Sequence, residues 1–211
     1  MGEARACFPG AFCRTVANRV AAQRRLPRYG RSEATAIESI RFAIKPSEVV
    51  CLVGESGSGK SVTSLSIMRL LGASGVIKQG SIRFNGENLL QKPESEMRKI
   101  RGKDISMVFQ EPMTSLNPVF TIGSQLVEAI KLHTGLKGKS AKAQAAEMLR
   151  KAGIARAEAV MKQYPHSLSG GMRQRVVIAM ALACNPKLLS VGRPFFIHAL
   201  FIIEAYTLVK F

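Results

Sequence analysis

Aspartate is nearly missing from this sequence: Asp104 is the only one in 211 residues, and 14 carboxylates stand against 31 lysines and arginines. Chemistry that needs paired acids therefore has few places to be built. The formal charge of +17 points instead to an anionic partner such as a nucleotide, a nucleic acid or a lipid surface, without choosing among them. Cysteine is also sparse. Cys7, Cys13, Cys51 and Cys184 lack the close spacing of a zinc site or a small disulfide scaffold, which fits a reducing, cytosolic compartment. Long apolar runs are absent as well: FFIHALFII, residues 195–203, is about half of the roughly 18 residues a membrane span needs. There are no repeats or low-complexity tracts. What remains is a chain of ordinary apolar content, long enough for one sizeable domain with a smaller subdomain.

Residues 1–35 carry seven arginines against Glu3 and Glu33 and show neither helical nor strand periodicity. They read as an irregular basic extension, although an arginine-rich, acid-poor leader also fits a targeting peptide. From residue 36 the pattern sharpens. AIESIRFAI alternates as a half-buried strand, and VVCLV, residues 49–53, is a short continuous apolar run of the kind found in buried strands. After a glycine-rich turn, SVTSLSIMRLLG has helical spacing with Gly72 at its end. SIRFNG, residues 81–86, predicts an edge strand closing on an Asn-Gly turn, and DISMVF, 104–109, predicts a buried strand. Residues 121–152 predict two helices separated by TGLKGK. A further apolar helix, MRQRVVIAMALAC, stops at Asn185 and Pro186, and the strand KLLSV follows. Strands, helices and a strand again predict an α/β core with an inserted helical subdomain.

Two stretches carry chemistry. GESGSGKS, residues 54–61, matches G-x-x-x-x-G-K-[ST] between an apolar strand and a helix, which is the required context. Glycines remove Cβ atoms so that backbone N–H groups can curl around phosphate oxygens, and the following helix adds its positive end. In this pattern Lys60 reaches the β and γ phosphates and Ser61 holds Mg²⁺. The motif predicts a nucleoside triphosphate binder, a class that spans kinases, GTPases, helicases and transporters. The second stretch is YPHSLSGGMRQR, residues 164–175, where Ser169, Gly170 and Gly171 open a helix and form another anion site.

LSGGMRQR resembles the signature motif of ATP-binding cassette (ABC) ATPases, and VFQEPMTSLNP, residues 108–118, resembles their Q-loop. The resemblance covers residues 36–189 and implies an α/β P-loop NTPase core of the ABC type. It implies that ATP and Mg²⁺ are the cofactors and that two subunits, identical or homologous, pair head to tail. By this likeness Gly54, Glu55, Ser56, Gly57, Ser58, Gly59, Lys60 and Ser61 form the Walker A loop, and Ser61 and Gln110 serve the metal. Ser169, Gly170 and Gly171 meet the γ phosphate held by the other subunit, and Tyr29 lies where an aromatic could stack on adenine, or is an ordinary surface tyrosine. The wording is similar to the dipeptide and oligopeptide importers, with nickel and glutathione importers close by. That branch implies transmembrane permease subunits, an external peptide-binding protein and a place at the cytoplasmic face of the membrane. Nucleic acid is not an expected partner, because DNA-maintenance ATPases separate the two motifs by a long coiled coil and here only about a hundred residues intervene.

The departures lie after the signature. The family's strand after N-P-K-L-L ends in Asp-Glu-Pro, whose acids orient metal and polarise water. Aligning Pro194 with that proline puts Gly192 and Arg193 in their places. Asp104 is upstream, Glu204 lies in an apolar tail, and His198 falls too close to serve as the family's switch histidine. No catalytic residue is identified, and hydrolysis is expected to be impaired. Both ends look replaced, as a shifted reading frame or gene decay would leave them, with the C-terminal part of the core missing or altered. The expected organisation is a basic extension over 1–35, an α/β core over 36–111, a helical subdomain over 112–170, the signature helix and next strand over 171–191, and an apolar tail over 192–211. An incomplete core leaves a strand edge exposed and predicts poor solubility.

Overall fold

The computed structural model describes residues 13–24, 32–46, 48–72, 75–109, 115–192 and 207–210. Two sheets and a helical layer build it. The antiparallel sheet centres on β1 (Cys13–Arg24), flanked on one side by β2 (Ser32–Ile37) and β3 (Ile40–Ile44) and on the other by β5 (Gly75–Phe84), which carries the short β6 (Glu87–Asn88). The parallel sheet runs in the order β4 (Val49–Cys51), β9 (Thr207–Lys210), β8 (Leu188–Val191), β7 (Ile105–Val108). Helix α1 (Lys60–Ile67) follows β4, and α2 (Glu94–Ile100) precedes β7. Between β7 and its parallel neighbour β8 the chain forms α3 (Ile122–Thr134), α4 (Gly138–Lys151), α5 (Ala157–Met161) and α6 (Gly170–Leu182). The predicted α/β core with a helical insertion is the observed architecture.

Alternation along β7 and β8 assigns each face of the parallel sheet to a separate core. Ile105 and Leu188 pack with Ile44, Ile67, Ile82, Phe84 and Met97 under the antiparallel sheet. Val108, Leu189 and Val191 pack against the helical insertion, with Leu126, Ile130, Leu149 and Ile178. Period-2 geometry produces this division, since successive side chains point to opposite faces. The lone aspartate pins one end of the sheet: the Asp104 carbonyl accepts from the Lys187 and Leu188 N–H groups at 2.9 and 3.1 Å, and its carboxylate lies 3.2 Å from the Lys187 ammonium.

Several expectations are corrected. The basic N-terminal stretch holds the central strand β1, whose partners are residues 32–44 and 75–84. AIESIRFAI is broken between Ile37 and Ile40, opposite the shift in register on β1 between Ala17 and Val20. VVCLV is only partly buried: Val49 is 58% and Val53 88% exposed, because among the described residues β4 ends the parallel sheet and pairs with β9 alone. Helix α1 stops at Ile67 rather than near Gly72. Arg69 turns to φ 51°, and its guanidinium donates to the Leu89 and Lys92 carbonyls. The apolar tail supplies β9, which covers the edge of β8 that was expected to lie open. The Asn85-Gly86 turn stands as predicted, with φ 50° and 85°.

His133, near the end of α3, is pressed against Gly102, where a Cβ would fall 2.7 Å from its Nε2. Burial, aided by Lys103, holds its pKa below the ordinary 6.5. The fold thus favours neutral imidazole, so its stabilising contribution is complete above that value and declines as pH drops below it toward the folded pKa. The thermal midpoint is expected to fall between about pH 7 and about pH 5. A His133→Gln variant should show a shallower fall over the same range in parallel thermal melts.

Candidate phosphate-binding site

Loop 54–61 leaves the edge strand β4 and enters α1 at Lys60. Gly57 and Gly59 both take φ 85°, a left-handed conformation that residues with Cβ adopt at a cost. Their surroundings differ. A Cβ on Gly59 would sit 2.8 Å from Ile37 Cγ1 and 3.1 Å from the Ala36 carbonyl, whereas one on Gly57 would meet nothing within 4 Å. Gly59→Ala is therefore expected to destabilise the fold by about 2–4 kcal/mol, combining backbone strain with overpacking. Gly57→Ala should cost only the backbone part, about 1–2 kcal/mol. Urea unfolding midpoints of the two variants check the contrast; equal losses would refute it.

The loop is closed on its own lysine. Lys60 Nζ donates to the Gly54 carbonyl at 2.7 Å, the Glu55 carbonyl at 2.6 Å and Ser58 Oγ at 3.1 Å. Ser58 N–H bonds the Glu55 carbonyl at 3.2 Å, tightening the turn. A cation held over an exposed loop by neutral oxygens alone can exchange them for oxyanions, which bind it more strongly. Ser61 is exposed beside Lys60 on the first turn of α1. Two residues further on, Thr63 is buried and anchors the helix by N–H and Oγ1 bonds to the Gly59 carbonyl at 2.8 and 3.0 Å.

A link that no periodicity announces joins this helix to the sheet. Buried Ser190 Oγ on β8 donates to buried Ser64 Oγ on α1 at 3.2 Å. The strand therefore runs directly beneath the helix that follows the loop. At its end Gly192 is buried, with its N–H bonded to the Val108 carbonyl at 3.1 Å. Asp104 belongs to the other end of the sheet, since β7 begins at Ile105 and runs parallel to β8. Among the described residues no cluster of three or more His, Cys, Asp or Glu forms.

The serine-glycine stretch opens α6. Ser169 has φ −64° and ψ 160°, and its Oγ accepts from the Met172 N–H at 3.3 Å, a helix N-cap. Gly170 and Gly171 are exposed, and a Cβ on either would meet nothing within 4 Å. Among the described residues no packing requires them, so they leave bare backbone at the positive end of a 13-residue helix. Just upstream, the Tyr164 and His166 rings lie nearly parallel at 5.6 Å. No hydrogen bond joins this stretch to loop 54–61 among the described residues. Tyr29, Gln110, Arg193, Pro194, His198 and Glu204 lie outside the described residues.

A family model described as ABC transporter matches residues 37–194. The oligopeptide transport ATP-binding protein AppD of Bacillus subtilis (strain 168) is 55% identical over 160 residues, 75% of this chain and 49% of that protein. The glutathione import ATP-binding protein GsiA of Salmonella typhimurium is 46% identical over 168 residues, 77% of this chain and 27% of that protein. The chain thus spans at most about half the length of these curated relatives. A solved dimeric, post-hydrolysis structure of the ATP-binding cassette MJ0796, bound to ADP and Pi, superposes with a TM-score of 0.77 at 25% identity, over 93% of this chain and 86% of that one.

Proposed function

The chain belongs to the ABC transporter family and has the α/β fold of its ATP-binding cassettes, and from this premise we propose that it is the ATP-binding subunit of a peptide importer. Gly54, Glu55, Ser56, Gly57, Ser58, Gly59, Lys60 and Ser61 hold the triphosphate. Ser61 and Gln110 serve Mg²⁺, and Tyr29 serves the base. The ion fits such a site because Mg²⁺ is commonly bound through substrate phosphates and one or two protein oxygens, keeping its remaining waters. When bound, it supplies charge that neutralises the phosphate oxygens. Ser169, Gly170 and Gly171 face the nucleotide of a second subunit. The exposure of all three, with no described residue within 4 Å of a Cβ placed on Gly170 or Gly171, supports that role, as does the dimeric state of the MJ0796 cassette. Permease subunits and a peptide-binding protein complete the assembly at the cytoplasmic face of the membrane. No helix among the described residues is long and apolar enough to cross it. The proposed units are the core 36–111, joined by β1 from the stretch 1–35 and by β9 from the stretch 192–211, the helical subdomain 112–170, and the signature helix and strand 171–191.

The observation that carries the proposal is Lys60 held by three neutral loop oxygens at the head of α1. Photolabelling with an azido-ATP analogue tests it: labelling should be blocked by unlabelled ATP and not by AMP, which lacks the β and γ phosphates. Labelling that AMP blocks equally would reject it. Gly192, buried and without a side chain at the end of β8, favours a companion reading in which this subunit binds ATP while a homologous partner hydrolyses its own. Co-purification with a complete homologous subunit, with phosphate release lost when that subunit's acids are removed, would support it.

A further inference from the structure

Neither the fold nor the phosphate loop uses the Tyr164 and His166 rings. Both residues are exposed, Tyr164 to 42%, yet their rings lie 5.6 Å apart and within 10° of parallel. The segment is held by its neighbours instead. Pro165 and Leu168 are buried, and the Ser167 and Leu168 N–H groups bond the Tyr164 and Pro165 carbonyls at 3.0 and 3.2 Å. Among the described residues no hydrogen bond or ion pair engages either ring. An anchored turn thus presents two stacked rings to solvent. Along the chain around them Gln163, Ser167, Ser169 and Gly170 are exposed, so no apolar run continues from the rings as it would in a protein-binding patch. Distance supplies the next step. From His166 to Gly170 the backbone leaves a short 3₁₀ turn through two extended residues, Leu168 at φ −100°, ψ 146° and Ser169 at φ −64°, ψ 160°. At ~2.0 and ~3.3 Å per residue this path is at most about 11 Å, within the length of an extended nucleoside triphosphate. An aromatic platform and a helix end that attracts phosphate lie close enough to receive the two ends of one nucleotide.

We propose that the Tyr164–His166 stack receives the base of a nucleotide whose phosphates are held by loop 54–61 of a second copy of this chain. The inference rests on the reading of Ser169, Gly170 and Gly171 as contacts to another subunit's γ phosphate, and it adds what those three do not supply. Backbone N–H groups at a helix end read charge and are blind to the base. Rings stack on the flat face of any base, and the larger overlap of a purine makes the platform favour purines over pyrimidines. The Tyr164 hydroxyl and the His166 imidazole can each donate and accept, which suits the hydroxyls of a ribose. A single nucleic-acid strand calls for successive platforms along its length, and among the described residues this is the one stacked pair.

Photolabelling of the full chain with an ATP analogue that carries its azide on the purine locates the base. The adduct should fall on the tryptic peptide 163–173, which follows Lys162 and ends at Arg173. Mixing two copies decides which chain is labelled. One copy is enriched in ¹⁵N and carries Lys60→Ala, so that its own loop holds little nucleotide, and the adduct should appear on its heavy peptide. Tyr164→Ala and His166→Ala should each weaken ATP-driven pairing of copies, read by sedimentation, by about five- to a hundredfold, the range that one lost base stack spans. ATP binding by the separate chain and its thermal midpoint should stay unchanged, because both residues are exposed. Tyr164→Phe and His166→Phe keep a ring and should restore most of the pairing. CTP should pair copies of the parent chain more weakly than ATP, and the difference should shrink in Tyr164→Ala. An adduct confined to the chain that holds the nucleotide overturns the proposal, as do alanine variants that pair as strongly as the parent. If ATP pairs no copies, the proposal fails together with the second-subunit role of Ser169, Gly170 and Gly171, while labelling that unlabelled ATP still blocks leaves the role of Lys60 standing.

Discussion

Phosphate release by the purified chain is expected to run about 10² to 10⁴ times slower than in a peptide-importer relative that carries Asp-Glu-Pro after its signature helix, the loss typical of a missing electrostatic or general-base group. Phosphoryl transfer depends on positioning and charge, so an enzyme of this type needs a carboxylate near the terminal phosphate to hold metal and water. Here the strand that passes under α1 ends in Gly192, which offers only an N–H already bonded to the Val108 carbonyl. Arg193 follows in sequence where the second acid would stand. Asp104 is engaged at the opposite end of the sheet, with Lys187 and the entry to β8. Glu55 lies in the exposed loop itself, where its backbone carbonyl already serves Lys60. A malachite-green assay beside an ATP affinity measurement on the same preparation separates slow chemistry from failed binding. Tight binding with phosphate release at the relative's rate would contradict the expectation.

The motifs were legible because they are local. A phosphate loop needs consecutive residues with small side chains followed by a helix, and all of this is written between Val53 and Ser61. Ser169 is likewise readable as a cap, since it precedes an apolar helix directly. The elements that sequence reading missed depend on distant partners. In β1, CRTVANRVAAQR has no clean alternation, and it becomes a strand through residues 32–44 on one side and 75–84 on the other. VVCLV has the composition of a central strand, but its place in the strand order among the described residues makes it an edge. Helix α1 would continue by propensity, and Arg69 stops it by reaching carbonyls some twenty residues on. The Ser64–Ser190 bond spans 126 positions and leaves no mark on either local pattern.

That distinction bears on what removing one local group should do. Lys60→Ala is expected to weaken ATP binding at least about a hundredfold while leaving the thermal midpoint nearly unchanged. The binding loss follows from the strength of charge-assisted hydrogen bonds, about 1.5–3 kcal/mol each, when an ammonium meets more than one phosphate oxygen. The small effect on folding follows from the loop's exposure. Gly54, Glu55 and Ser58 are exposed, so water can replace the ammonium at their oxygens when Lys60 is gone. Gly59 and Thr63 would still fix the turn against Ile37 and the start of α1. Lys60→Arg should restore charge but not affinity in full, because a planar fork does not match the position of a point cation drawn in by Gly54, Glu55 and Ser58. Isothermal titration with ATP and with ADP reads both effects, and the loss should be larger for ATP if Lys60 reaches the terminal phosphate. Equal, small losses for the two nucleotides would place the triphosphate somewhere other than loop 54–61.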